Sequence, residues 1–135
     1  DRVEPELGDE RLDHELGVGV VAPDFSGLTV GTTSSNAEQI AEALPEARVV
    51  KAFNTIGAHL FDRPDIDGDA PSMFIAGDDA DAKLVVESLV AELGLDPVDV
   101  GGLSESRFLE PMAMLWIRLT YVEQAGTIGF RLLRD

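Results

Sequence analysis

Apolar residues recur at helical spacing most clearly at Ala82, Val85, Val86, Leu89, Val90 and Leu93, which predicts a helix over about residues 79–93 closed by Gly94. A second helix is predicted from Ser35, where Ser35 and Glu38 have the spacing of a capping box, Ala37, Ile40, Ala41 and Leu44 make one apolar face, and Pro45 stops it. A long helical region opens at Ser104, with Phe108, Met112, Leu115, Leu119 and Val122 among its apolar positions. Pro111 lacks a backbone donor, so this helix either kinks there or restarts with the proline in its first turn.

The strand-like segments read differently. Arg48 to Phe53 is a β-branched run suited to a buried parallel strand, and Phe74 to Ala76 with its flanks makes another. Asp96 to Val100 is a third, Leu28 to Val30 a short fourth, and Ile128 to Leu133 a last short element. Between the first two strands lie the short segment Gly57 to Phe61 and a polar loop from Asp62 to Pro71. Alternating strands and helices predict an α/β fold with a largely parallel sheet, flanking helices and a long C-terminal helix. No internal repeat interrupts the pattern.

Size and charge narrow the class. A chain of 135 residues and 14.5 kDa fits one domain, and 44% hydrophobic residues supply a core. We read residues 1–21 as an acidic arm and 22–135 as a single α/β domain. The longest apolar run, Met112 to Ile117, is far short of the ~20 residues needed to cross a membrane. With no cysteine, disulfides and thiolate chemistry are excluded, and a cytoplasmic setting is expected. The 26 acids against 10 bases give a net charge of −16, which repels nucleic-acid phosphate and anionic lipid. These acids are dispersed among ordinary apolar positions, the pattern of a folded protein adapted to high salt, where screening relieves self-repulsion.

Several apparent motifs fail on their chemistry. Gly17 to Ala22 satisfies G-x-G-x-x-A, but it runs into Pro23 with no helix to receive a pyrophosphate. Asp65-Ile66-Asp67-Gly68-Asp69 imitates a calcium loop, yet its sixth and twelfth positions hold Ala70 and Ala76, so a solvated turn is expected. His14 and His59 stand far apart, without a second histidine at ligand spacing, which argues against zinc. Ser34 and Ser35 lie in no nucleophile elbow, and capping explains Ser35. Gly77-Asp78-Asp79 reads as a helix cap because its carboxylates complement the helix end themselves. For Gly31 to Ser35, capping is favoured over ligand contact. Trp116, Met112 and Met114 read as helix packing.

The best site follows the first predicted strand, at Phe53-Asn54-Thr55-Ile56-Gly57, because ligands of open α/β sheets gather beyond the carboxyl ends of strands. Asn54 can offer an amide to a ring edge and Ile56 an apolar surface to a planar ring, with both expected to face an open cleft. An Asx turn with Ile56 in the core explains the same residues equally well.

Val49 to Ile56, Ala76-Gly77-Asp78-Asp79, Val98-Asp99-Val100-Gly101, Leu103-Ser104-Glu105-Ser106-Arg107 and Ile128 to Leu133 resemble the distal part of the deazaflavin (coenzyme F-420)-dependent NADP oxidoreductases. The likeness runs from about Ala22 to Leu133, and metalloreductases of the six-transmembrane type are more distant relatives. The resemblance implies a Rossmann-like fold and hydride transfer between NADP(H) and a deazaflavin or flavin. It implies ring contacts from Asn54, Thr55 and Ile56, and a flavin side lined by Gly101, Leu103, Ser104 and Arg107 and by Phe130 to Leu133. Some members have histidine where Asn54 stands. The family's glycine-rich βαβ unit has no counterpart here, and residues 1–21 match nothing. The chain is therefore expected to be a truncated member, completed by an N-terminal glycine-rich half or assembled as a homo-oligomer. A non-catalytic α/β interaction domain is the alternative.

Overall fold

The computed structural model describes residues 32–135, so the acidic arm, the Gly17 to Ala22 run, His14 and the Leu28 to Val30 segment lie outside the described residues. The elements are helix α1 (Asn36–Ala43), strand β1 (Val50–Lys51), a 3-10 turn (Ala58–Leu60), strand β2 (Ser72–Gly77), helix α2 (Ala80–Glu92), strand β3 (Asp96–Gly101), a 3-10 turn (Leu103–Glu105) and helix α3 (Ser106–Ile117). The last continues without a break into a wider π-type turn, Arg118–Val122.

Local chemistry sets the helix ends. Ser35 caps α1 by accepting the Glu38 N–H at 3.1 Å, and its hydroxyl donates to the Glu38 carboxylate at 2.7 Å. Asp79 caps α2 by accepting the Ala82 N–H at 2.8 Å, and Gly94 leaves the helix at φ +80°, a left-handed conformation that suits glycine. Asp67 and Gly68 both have positive φ and turn the chain between the bridged residues Ile66 and Asp69, the solvated turn expected there.

The sheet has three strands in the order β1-β2-β3 among the described residues. Strands β2 and β3 run parallel, from Ser72 opposite Asp96 to Ala76 opposite Gly101, because α2 carries the chain back along the sheet. Strand β1 corrects the expectation of a buried parallel strand over Arg48 to Phe53. It is two residues long, half-buried and antiparallel to β2, with Val50 opposite Gly77 and Lys51 opposite Ala76. No crossover helix separates β1 from β2, only a 3-10 turn and a loop, so the chain returns in the opposite direction. Phe53 makes the exit at φ +60°, held by its N–H to the Met73 sulfur at 3.0 Å and by edge-to-face packing on Phe61. The described sheet is thus mixed, its longer pairing parallel and its short β1 edge antiparallel.

Among the described residues Ile56, Leu60, Met73, Ile75, Val90 and Leu95 form a core cluster, to which β2 contributes Met73 and Ile75. Of the predicted α2 face, Val90 is fully buried and Val86 and Leu93 pack against the cluster, while Val85 and Leu89 are exposed. The residues that reach the core stand at i, i+4 and i+7, and Val85 and Leu89 are rotated one position off that row. The Ile128 to Leu133 segment is neither helix nor strand. It lies at the start of β2, where Phe130 O accepts the Ser72 N–H at 2.8 Å and the Leu132 N–H donates to Ser72 Oγ at 3.0 Å. Pro111 sits inside one continuous helix, so the helix does not restart there.

Candidate functional site

Three polar links gather α1, β1 and α3 around one point. Glu110 of α3, 1% exposed, accepts the Asn36 N–H at 2.8 Å and the Ala37 N–H at 3.0 Å, filling the N-terminus of α1. Its other partner is the Lys51 ammonium of β1, at 3.2 Å. Beside this, Arg107 grips Glu38 with its Nε and Nη2, the closest contact being 2.7 Å. Hydrogen bonding from Arg107 holds the Glu38 carboxyl below its ordinary pKa, against a smaller opposing effect of burial. Thus the α1 N-terminus, where the sequence favours capping over ligand contact, is occupied by the protein's own groups, Ser35 and the Glu110 carboxylate.

Asn54 belongs to the same neighbourhood. Its side-chain Nδ2 donates to Leu109 O at 2.6 Å, one residue before Glu110 on α3. That bond fixes the amide, and Asn54 Oδ1 and the neighbouring Thr55 Oγ1 are buried without a hydrogen-bond partner among the described residues. Ile56 corrects the expectation of a shared open cleft: it is 7% exposed and belongs to the core cluster. The turn at Phe53 drives Thr55 to Gly57 inward under β2 instead of out beyond the sheet. Gly57 packs so closely that a Cβ there would stand 3.2 Å from the Trp116 ring.

A second polar corner forms where β2 and β3 end. Asp78 accepts the Leu103 N–H at 2.8 Å, and Lys83 bonds both Asp99 oxygens, at 3.0 and 2.8 Å, with a third contact to Gly101 O at 3.3 Å. Lys83 thereby holds the Asp99 carboxyl below its ordinary pKa, assisted by the Gly101 N–H. Gly101 lies at φ +117°, Leu103 is buried and Ser104 is exposed. A cavity of about 300 Å³ opens beside this corner, lined by Ala41, Arg48, Asp78, Asp79 and Leu103 among others.

The structure therefore brings Asn54, Thr55, Leu103, Ser104 and Arg107 to the start of α3, with Gly101 joined to them through the β3 end. Leu133 stands apart: 81% exposed, it follows the residue bonded to Ser72 at the opposite end of β2. A second cavity, about 320 Å³, lies at that end between Pro71, Ile128, Phe130 and the Arg131–Asp69 ion pair. Sequence reasoning missed Lys51 and Glu110. One signal was present, since Glu110 is the single acid in the apolar stretch from Phe108 to Ile117. Among the described residues no helix is long and apolar enough to cross a membrane.

No protein-family model matches the chain. It is 36% identical over 80 residues to the metalloreductase STEAP3 of Rattus norvegicus, covering 59% of this chain and 16% of that protein. Over 99 residues it is 30% identical to the F420-dependent NADP reductase of Methanocaldococcus jannaschii, covering 73% of this chain and 44% of the relative. A crystal structure assigned as an F420-dependent NADP reductase from Arthrobacter sp. FB24 superposes with a TM-score of 0.72 at 37% identity, over 79% of this chain and 49% of that one. A hypothetical protein from Sinorhizobium meliloti superposes with a TM-score of 0.60 at 29% identity, over 87% of this chain and 52% of that one. The chain spans less than half the length of these curated relatives.

Proposed function

Starting from a chain homologous to part of the F420-dependent NADP reductases, themselves NADP-dependent oxidoreductases, we propose that it is the distal portion of an enzyme transferring hydride between NADP(H) and a deazaflavin or flavin. The observation that carries this reading is the 37% identity joined to a TM-score of 0.72 with the Arthrobacter structure. The residues present fit a ring edge at one place. Asn54 Oδ1 and Thr55 Oγ1 are buried polar atoms with no partner among the described residues, and such atoms are destabilising until something bonds them. Because the Asn54 nitrogen is committed to Leu109, its oxygen is left as an acceptor, suited to the N–H of a ring or a carboxamide.

In this reading the hydride chemistry belongs to the nicotinamide and deazaflavin rings. The protein's part is orientation: Leu109 fixes the Asn54 amide, while Glu110 and Arg107 hold α1 and α3 in register around it. Gly101, Leu103 and Ser104 are the further contacts we assign to the flavin ring, and Leu133, at the opposite end of β2, is not among them. The dinucleotide requires a glycine-rich turn feeding a helix, which this sequence does not supply. We place the protein in the cytoplasm of a salt-rich cell, from its charge and its lack of cysteine.

A second reading, an α/β interaction domain without catalysis, is favoured by one observation: Ile56 is a core residue and offers no open platform to a ring. Titration calorimetry in molar KCl separates the two. The chain alone is expected not to bind NADPH, whereas its mixture with a glycine-rich half from the same genome binds NADPH and reduces a deazaflavin coenzyme. Asn54→Ala in that mixture is expected to weaken coenzyme binding. A mixture that binds neither molecule supports the interaction domain.

A further inference from the structure

The loop that leads into β2 holds the one Asp-Gly pair of the chain, Asp67-Gly68. Both residues have positive φ, +57° and +90°, the pattern of a type I′ turn, and the turn is closed by the Ile66 N–H to Asp69 O at 3.0 Å and the Asp69 N–H to Ile66 O at 3.1 Å. Asp67 and Gly68 are exposed, and a Cβ on Gly68 would meet nothing within 4 Å. Among the described residues neither the Asp67 carboxylate nor the Gly68 N–H has a hydrogen-bond partner. A carboxyl, an unengaged amide nitrogen one residue on and open space around both are the requirements of intramolecular ring closure.

The backbone of this turn is already set for that ring. A type II′ turn shares the positive φ of its first central residue and differs in having ψ of about −120° there, followed by negative φ at the second. Rotating the single peptide between Asp67 and Gly68 interconverts the two turns while the ends at Ile66 and Asp69 stay together, and glycine permits it because it takes either sign of φ. A five-membered ring joining Asp67 Cγ to Gly68 N requires the same ψ, which swings that nitrogen onto the side of Cα that carries the side chain. Most other aspartates are denied one reactant. The carboxylates of Asp78, Asp79 and Asp99 are held by the Leu103 N–H, the Ala82 N–H and Lys83, and the N–H groups that follow Asp62, Asp65 and Asp81 are already donated to other acceptors.

We propose that Asp67 cyclises onto Gly68 and that the ring opens to an isoaspartyl residue, making this turn a site of spontaneous backbone modification. Gly68 N attacks Asp67 Cγ. The new C–N bond forms as a carboxyl C–O bond breaks, and the departing hydroxyl leaves with the amide proton as water. A second water then adds to one carbonyl of the succinimide. Addition at the former backbone carbon breaks its bond to Gly68 N and routes the chain through Cβ and Cγ, whereas addition at Cγ restores aspartate. No oxidant, reductant or cofactor takes part. The isoaspartyl product lengthens a two-residue turn by one backbone methylene, so the bridge between Ile66 and Asp69 opens and Asp69 is drawn away from Arg131 of the C-terminal segment.

The test ages the 135-residue chain for several weeks at 37 °C in 3 M KCl. After desalting and digestion, isoaspartate is read by methyl transfer from an isoaspartyl-specific carboxyl methyltransferase and located by fragmentation mass spectrometry. The expected result is isoaspartate at position 67, at least tenfold above every other aspartate of residues 32–135. Asp67→Glu, whose ring would need a sixth member, should lower it at least tenfold, and Asp67→Asn, from which ammonia leaves in place of water, should raise its rate at least tenfold. Circular dichroism checks that both variants remain folded. Hydrogen exchange on the aged chain should be faster at the Ile66 and Asp69 N–H groups than on the fresh chain. A wild-type chain without isoaspartate at 67, or with as much of it at another described aspartate, overturns the proposal. Modification at 67 that leaves the Ile66 and Asp69 amides exchanging as before overturns its effect on the turn.

Discussion

Lys51 on β1 and Glu110 on α3 form an ion pair of 3.2 Å in which the carboxylate is withdrawn from water and shared with two backbone N–H groups of α1. Three elements distant in sequence thus converge on one side chain. Removing one partner of a buried pair leaves the others desolvated and uncompensated, typically a loss of about 3–5 kcal/mol. Glu110→Ala is therefore expected to destabilise by about 3 kcal/mol or more, because Lys51 and both N–H groups lose their acceptor. Lys51→Met is expected to be milder, since Glu110 keeps the N–H groups. Urea unfolding in molar KCl measures both, and a Glu110→Ala midpoint equal to wild type would contradict this account.

Acid should weaken the fold through Glu38 and Asp99. Both carboxyls are held below their ordinary pKa, by Arg107 and by Lys83 respectively. A depressed carboxyl contributes its full stabilisation above the unfolded pKa of about 4 and loses it as pH falls through the lower folded value. Stability in molar KCl, where general charge repulsion is screened, is expected to drop as pH falls below about 4. Arg107→Gln should flatten that dependence by removing the Glu38 part. A profile that is the same with and without Arg107 would count against the linkage.

Salt should raise the melting temperature. With a net charge of −16, repulsion in dilute buffer opposes the folded state, and the Debye length shortens from about 10 Å at 0.1 M to about 3 Å at 1 M. Thermal unfolding from 0.1 to 3 M KCl is expected to show a rise concentrated in the first molar increment. A flat or falling curve would sink the idea of salt adaptation.

Gly129→Ala should loosen the C-terminal segment. A Cβ at that position would lie 2.8 Å from Pro71 Cγ and 2.9 Å from Pro71 Cβ, and a proline ring cannot move aside as a flexible side chain can. Overpacking of this kind costs about 1–3 kcal/mol. The expected sign is faster hydrogen exchange at the Ser72 N–H, whose acceptor is Phe130 O in the same segment. Unchanged exchange at Ser72 would show that the segment accommodates the methyl group.

What the sequence disclosed was local. Ser35 and Glu38, Asp79 and Gly94 all do within one turn what their spacing predicts, because caps depend on neighbours three or four residues away. Helix α2 and strands β2 and β3 were legible for the same reason. Strand β1 was not, since a short apolar run carries no information about direction, which the connection decides. Ile56 was ambiguous between ring contact and core, and the inward turn at Phe53 resolved its position towards the core. The Lys51–Glu110 and Asn54–Leu109 contacts join residues more than fifty positions apart, beyond the reach of any periodicity. The Arg107–Glu38 pair is equally distant, so the candidate site became visible only when the helices were placed.

The two ends of β2 set a length scale for any ligand. Gly101 lies opposite Ala76 near one end, and the segment before Leu133 is bonded to Ser72 at the other. At roughly 3.3 Å per residue these points are separated by about 13 Å or more along the strand. A single fused-ring headgroup is too short to rest on both. Whatever reaches Leu133 and the Gly101 corner at once must be an elongated molecule laid along the sheet, with its chemistry at one end and its grip at the other.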